Sequence, residues 1–135
     1  MAEQIKLDVI TPQRRVLSEQ VETVVVPGKN GELGILPAHT PLISQLQAGI
    51  LTYEKGGTMT RLLVSGGFVE VSADQVSVLA DIAEFPNEVD VNKAREDRDR
   101  VEKMLGTFPD STAEMDELQS ELRLAQARLQ LNQKT

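Results

Sequence analysis

Val24 to Leu51 reads VVVPGKNGELGILPAHTPLISQLQAGIL, and this run decides the fold. It holds four glycines, three prolines and the chain's single histidine, set between short apolar segments. Val24, Val25 and Val26 are β-branched and stiff at χ1, which favours a strand. Pro27–Gly28 breaks that strand, and Asn30–Gly31 is a tight-turn signal. Leu33 to Leu36 reads as another short strand, closed by Pro37. Leu42–Gln47 and Ile50–Glu54 read as two more. Nothing in the run has the look of a catalytic centre. It has the look of a rigid, loop-rich surface read by another protein.

The same grammar extends outward. Ile5 to Ile10, IKLDVI, alternates apolar and polar with the period of a half-buried strand. Val16–Leu17 and Val21–Val26 continue it. Lys55–Gly56–Gly57 is a hairpin turn, followed by Met59–Val64, the Gly66–Gly67 turn, Phe68–Val71, and Gln75–Leu79 after Ala73–Asp74. Eight to ten short strands with turns about every 8–12 residues predict an all-β sandwich or barrel.

After Phe85 the period changes. Val91, Ala94, Val101 and Leu105 share one helical stripe, interrupted by Arg98. Glu96–Arg100 and Asp99–Lys103 are spaced as i, i+4 ion pairs. Gly106 stands at the expected C-cap, and Pro109 prevents continuation. Ser111 with Glu114 reads as a capping box. Met115, Leu118, Leu122, Ala125 and Leu129 form a narrow seam that suits one partner helix. The fold class expected is α+β: a sandwich over residues 1–85 and an antiparallel two-helix hairpin over residues 86–135.

The chain has 135 residues, 40% of them hydrophobic, and a formal net charge of −7. With no basic stripe, nucleic acid is not an expected partner. Acidity also argues against direct docking on anionic lipid, and no apolar run is long enough for membrane insertion. There is no cysteine, which removes disulfides, thiolate catalysis and Cys-ligated metal. The N-terminus shows no apolar signal-peptide region.

Catalytic and metal-binding patterns are weak throughout. His39 lies between Ala38 and Thr40 with no carboxylate or nucleophile close in sequence. Ser65–Gly66–Gly67 lacks the glycine two residues before the serine that a nucleophile elbow needs, since Leu63 stands there. Gly28, Gly31 and Gly34 are not followed by Gly-Lys-Ser/Thr, so they read as turn residues with positive φ. The acidic runs Glu96–Asp97 and Asp110–Glu121 lack calcium-loop spacing and read as solvated helix faces.

Taken together, G-x-L-G-I-L-x-x-H-x-P-L from Gly31 to Leu42, then S-G-G-F-x-E-V and VSVLADIAE, resembles the epsilon subunits of bacterial-type (F-type) ATP synthases. The likeness covers nearly the whole chain. It implies a ten-stranded sandwich plus hairpin, without an active site of its own, serving in the central rotor. It implies three partners: the gamma subunit, the polar loops of the c-ring, and the alpha/beta catalytic head reached by an extended hairpin that inhibits ATP hydrolysis. By the same resemblance, Lys29, Asn30, Gly31, Glu32 and Leu33 face the c-ring. Ala38, His39, Thr40, Pro41 and Leu42 meet gamma, and Arg123, Arg128 and Lys134 meet the head. Some family members bind ATP through I/L-D-x-x-R-A at the first helix. Here Val89 to Ala94 reads V-D-V-N-K-A, and Lys93 cannot supply an arginine's planar fork. Asp90, Lys93, Arg100 and Arg128 are the positions such a site would use, and Leu124 stands where another arginine is expected. No cofactor is therefore expected. The resemblance places the chain at the cytoplasmic face of a bacterial plasma membrane, with a thylakoid membrane as the alternative. Two competing readings are a ligand-binding sandwich with ATP under a helical lid, and a small hydrolase using His39.

Overall fold

The computed structural model describes residues 3–107 and 109–133. Ten strands come first: β1 Ile5–Ile10, β2 Arg15–Val21, β3 Thr23–Gly28, β4 Gly31–Ile35, β5 Leu42–Gln45, β6 Gly49–Lys55, β7 Thr58–Ser65, β8 Phe68–Ser72, β9 Gln75–Leu79 and β10 Ile82–Glu84. A short 3-10 turn, Pro86–Glu88, leads to α1 Val91–Leu105 and α2 Thr112–Leu131.

The strands form two five-stranded sheets. Sheet A runs β2-β1-β9-β8-β5 and sheet B runs β10-β7-β6-β3-β4. Among the described residues only β1 and β9 pair in parallel, setting the first strand beside the ninth in the middle of sheet A. Alternate residues from both sheets meet between them. Leu7, Val9, Val69, Val76 and Val78 come from sheet A, and Val24, Val26, Leu51, Leu62 and Val64 from sheet B, all fully buried. Aliphatic residues build nearly all of this core, as the scarcity of aromatics required.

Turn chemistry follows the residues. Lys55 pairs with Thr58 across the β6–β7 hairpin, leaving Gly56 (φ 58°) and Gly57 (φ 80°) as its two central residues. Positive φ at both is the primed turn whose twist suits paired strands, and glycine adopts it without a steric cost. Of the three glycines at 28, 31 and 34, only Gly31 has positive φ, at 128°. Gly28 is needed for a different reason: a Cβ there would stand 2.7 Å from the Gly31 carbonyl oxygen.

Two boundaries differ from the expected ones. The apolar run Val21–Val26 is not one strand. The chain leaves sheet A after Val21 and enters sheet B at Thr23, a switch that β-branched residues on both sides conceal. The tenth strand of the expected sandwich had no segment assigned to it; it is β10, only three residues long.

Both helices are capped. Asp90 accepts from the Lys93 amide and Ser111 from the Glu114 amide, each at 3.0 Å. The capping box is shifted by one residue, because the Glu114 carboxylate accepts from the amide of Asp110 at 3.3 Å, not from that of Ser111. Gly106 caps α1 in a right-handed conformation, φ −70°. Neither expected i, i+4 ion pair forms. Asp97 instead collects Lys93 at 2.7 Å and Arg100 at 3.7 Å, and Arg100 reaches across to Glu121 at 3.8 Å.

Helix α2 buries two faces. Leu118 and Ala125 are buried along the seam with α1, whose Ala94 and Val101 are also buried. The second face, absent from the seam pattern, lies on sheet B. Ala127 and Leu131 are buried with Leu63, joined by Leu124, Ile50, Ile82 and Val89. Leu62, Leu63 and Val64 are consecutive buried residues on β7, so that strand is covered on both sides: by the core on one and by α2 on the other.

Candidate functional site: three surfaces of a sandwich and its hairpin

The first surface is the β3–β4 turn. Gly28 pairs with Gly31, so Lys29 and Asn30 form its tip. The tip is braced from behind: Lys29 N donates to Gln45 O at 2.9 Å, and Gln47 N to Pro27 O at 3.0 Å. Lys29, Asn30, Gly31 and Glu32 are exposed. Leu33 is half-buried and packs against the core from this surface.

The second surface begins in the segment 37–42. Ala38 adopts φ 62°, an uncommon conformation for a residue with a Cβ, and its amide bonds Ala73 O at 2.9 Å. His39 Nδ1 lies 2.7 Å from the Thr40 carbonyl oxygen, a local contact with no carboxylate partner. Leu42 packs on the core. The next residue, Ile43, points the opposite way and is 71% exposed. Phe68 and Leu79, which pair across β8 and β9, are each about half exposed on the same outer face of sheet A. Ile10 continues their row on β1. This apolar strip escaped the sequence reading. Its signal was the doublets Leu42–Ile43 and Val78–Leu79, in which one of two adjacent strand residues must face away from the core.

The third surface is the junction of hairpin and sandwich. Beside the Leu63 cluster, Arg128 makes a two-pronged pair with Glu84, at 2.9 and 3.1 Å. Arg14 reaches Glu88 in the 3-10 turn at 2.7 Å. Farther along α2, Arg123 lines an open cleft of about 640 Å³ with Ser120, Lys29, Asp81 and the Gly66–Gly67 turn. Lys134 lies outside the described residues.

The four nucleotide candidates do not converge on one cavity. Asp90 is occupied as a helix cap, Lys93 and Arg100 surround Asp97, and Arg128 is held by Glu84. Among the described residues, no group of three or more His, Cys, Asp or Glu is placed to hold a metal ion.

Two carboxyls in this region sit below their usual range. The Phe85 amide, with Arg14 in support, lowers Glu88; the Lys93 ammonium, with Arg100 in support, lowers Asp97. A carboxyl depressed in the folded state adds stability above its unfolded pKa of about 4, and that stability is lost as pH falls through the folded value. Acidification from pH 6 to pH 3 is therefore expected to loosen the hairpin only below about pH 4. Helical circular dichroism across that range checks this; a transition complete above pH 5 would contradict it.

These surfaces belong to a β-sandwich that carries a separately seated helical hairpin. Residues 4–86 match the family described as ATP synthase, Delta/Epsilon chain, beta-sandwich domain. The ATP synthase epsilon chain of Syntrophobacter fumaroxidans is 44% identical over all of both chains. That of Desulfitobacterium hafniense is 47% identical over 78% of this chain and 80% of its own. This chain belongs to the ATP synthase epsilon-chain family. The fold recurs in a chain of the Euglena gracilis mitochondrial ATP synthase, solved with OSCP, F1 and the c-ring. The TM-score is 0.79 at 24% identity, covering 95% of this chain and 80% of that one. A central stalk/c-ring chain of the Tetrahymena thermophila enzyme gives 0.65 at 15% identity, covering 96% of each. Among the described residues no helix is long and apolar enough to cross a membrane.

Proposed function

We propose that this epsilon-family chain is a non-catalytic subunit of the rotor's central stalk. It links gamma to the polar loops of the c-ring, at the cytoplasmic face of a bacterial plasma membrane. The braced tip Lys29–Glu32 suits a fixed contact with those loops, since its backbone is tied to the segment behind it. The segment Ala38–Leu42 and the apolar strip Ile43, Phe68 and Leu79 suit gamma, because bare apolar side chains on a stiff sheet face gain by being covered.

The hairpin is the regulatory part. The observation that carries this reading is the lightness of its attachment. Two buried leucines, Leu63 and Leu131, with Ala127 contribute on the order of 5 kcal/mol. Holding a two-helix element in place costs a large fraction of that. The docked and released states then lie close enough for neighbouring subunits to choose between them. Release frees Arg128 from Glu84 and, with Arg123, offers α2 a cationic edge for the alpha/beta head. No cofactor is required for this exchange.

Deleting residues 86–135 from the assembled enzyme is expected to raise ATP hydrolysis while gamma and the sandwich remain bound one to one by native mass measurement. Unchanged hydrolysis would remove the inhibitory role. Absence of the one-to-one species would remove the stalk role.

A further inference from the structure

The stretch that joins sandwich to hairpin is tied down unevenly. Upstream, Glu84 pairs with Leu63 in sheet B, and Phe85 packs against the main core. The 3-10 turn Pro86–Glu88 follows, closed by Glu88 N donating to Phe85 O at 2.9 Å. Its last side chain is held twice. Glu88 Oε1 accepts from the Phe85 amide at 3.0 Å, and Arg14 Nη2 donates to Oε1 at 2.9 Å and to Oε2 at 2.7 Å. Arg14 is itself braced: Thr11 N donates to Arg14 O at 2.9 Å, and the Thr11 hydroxyl meets the Arg14 amide and carbonyl, both at 3.3 Å. An exposed ion pair alone contributes little. Here the same carboxylate also closes the turn, so the turn and the β1–β2 loop are joined in one network.

Downstream, Asp90 already belongs to α1. Its Oδ1 accepts from Lys93 N and its carbonyl from Ala94 N, each at 3.0 Å. The two helices then pack on each other, with Ala94, Val101, Leu118 and Ala125 buried and Arg100 reaching Glu121. Val89 lies between the two tied parts. It is extended, with φ −84° and ψ 128°, and its amide reaches Pro86 O at 3.3 Å. Its side chain packs on the Leu63 cluster. Rotation beyond its Cα moves the helices and leaves that contact in place. Two ion pairs face one groove of about 370 Å³ at this junction, Arg14–Glu88 and Arg128–Glu84. The second spans sandwich and hairpin, so release breaks it. The first contains nothing from either helix.

We infer that the hairpin is released by rotation at Val89–Asp90, and that Glu88, clamped by Arg14, is the fixed post from which it swings. The inference rests on the reading that the hairpin leaves the sandwich. A pivot of two torsions, Val89 ψ and Asp90 φ, gives the released arm a set origin on the sandwich. Loss of the clamp adds the 3-10 turn to the tether. A longer, slacker tether lowers the effective concentration of the element it carries.

Spin-label distances on the full chain, which has no cysteine of its own, test this. One label sits at Thr58→Cys, exposed at the start of β7. The other sits at Asn87→Cys in the turn, Asn92→Cys in the first turn of α1, or Gln126→Cys on α2, all exposed. Each pair is measured with and without Leu131→Asp, which removes the seat of α2 on Leu63. Leu131→Asp is expected to broaden the distances to Asn92 and Gln126 and to leave the distance to Asn87 narrow. Adding Glu88→Ala is expected to broaden the distance to Asn87 as well. If that distance broadens without Glu88→Ala, the pivot lies upstream and the inference is overturned. A distance to Asn92 that stays narrow while that to Gln126 broadens puts the pivot inside the hairpin and also overturns it. So does a narrow distance to Asn87 in the doubly substituted chain, since Glu88 would not be the post. If the distance to Gln126 does not change, the release reading falls and the pivot with it.

Discussion

Leu131→Asp is expected to detach the hairpin and leave the sandwich folded. Leu131 is 3% exposed and sits against Leu63 on the outer face of sheet B. A carboxylate there has no cation assigned to it, because Arg128 is already engaged by Glu84. Burying it would cost roughly 4 kcal/mol or more, comparable with the whole attachment. The cheaper course is for α2 to lift away and let the charge reach water. The main core shares none of the three buried members of this junction, so the sandwich should keep its own unfolding transition.

Hydrogen exchange reads the outcome directly. Helix amides should lose protection while β6 and β7 keep theirs, and a fluorescent pair on α2 and the sandwich should move apart. Gln126→Asp, on the exposed side of the same helix, should change neither signal. A hairpin that stays seated in Leu131→Asp would show that the Leu63 cluster is not what holds it. In the assembled enzyme the detached variant should hydrolyse ATP more slowly than the parent, the opposite of the deletion, because the inhibitory element is released and still present.

The second large effect concerns two neighbouring glycines that the sequence makes look equivalent. Gly67→Ala should prevent stable folding of the sandwich, and Gly66→Ala should not. Both have positive φ, 71° at Gly66 and 79° at Gly67, so either substitution costs about 1 kcal/mol in backbone strain. What differs is the obstacle. A Cβ on Gly66 would meet the carboxyl end of Asp81, a flexible side chain that can swing aside. A Cβ on Gly67 would drive into the backbone of β9, overlapping the Leu79 carbonyl oxygen and lying 2.9 Å from its carbon.

Strand β7 belongs to sheet B and β8 to sheet A, so this turn is where the chain crosses between sheets. Gly67 O also accepts from Leu46 N at 3.0 Å, tying the β5–β6 connection to it. Neither backbone can yield without opening the sandwich, and the loss is on the order of 3 kcal/mol or more beyond the φ strain. Urea denaturation of the two variants should separate them widely. Equal midpoints would refute the steric argument.

Much of this architecture could be read along the chain. Strand alternation, the hairpin glycines at 56 and 57, and the cap at Ser111 are local, and each depends on residues within four positions of one another. What sequence reasoning missed involves partners far along the chain. Strand β10 exists because β7 offers it an edge, with Ile82 opposite Ser65. The expected Glu96–Arg100 pair failed because Arg100 found Asp97 and, on the other helix, Glu121, while Asp99 paired with Arg98. The seam residues of α2 were visible as a pattern, but Ala127 and Leu131 lie off that seam and acquire their role only from Leu63 and Ile50. Leu33 and Leu42, placed by resemblance at contact surfaces, are half-buried and also pack against the core.

By itself, then, the sequence determined which segments extend and which coil, since backbone sterics and hydrogen bonding act over a few residues. Only the tertiary structure decided which faces are covered and which stay bare. A period of two says that Leu62 and Leu63 point in opposite directions; it does not say that α2 waits on one side while the outer face of sheet A is left with Ile43, Phe68 and Leu79. Covering is a property of packing between distant elements, and no local pattern encodes it.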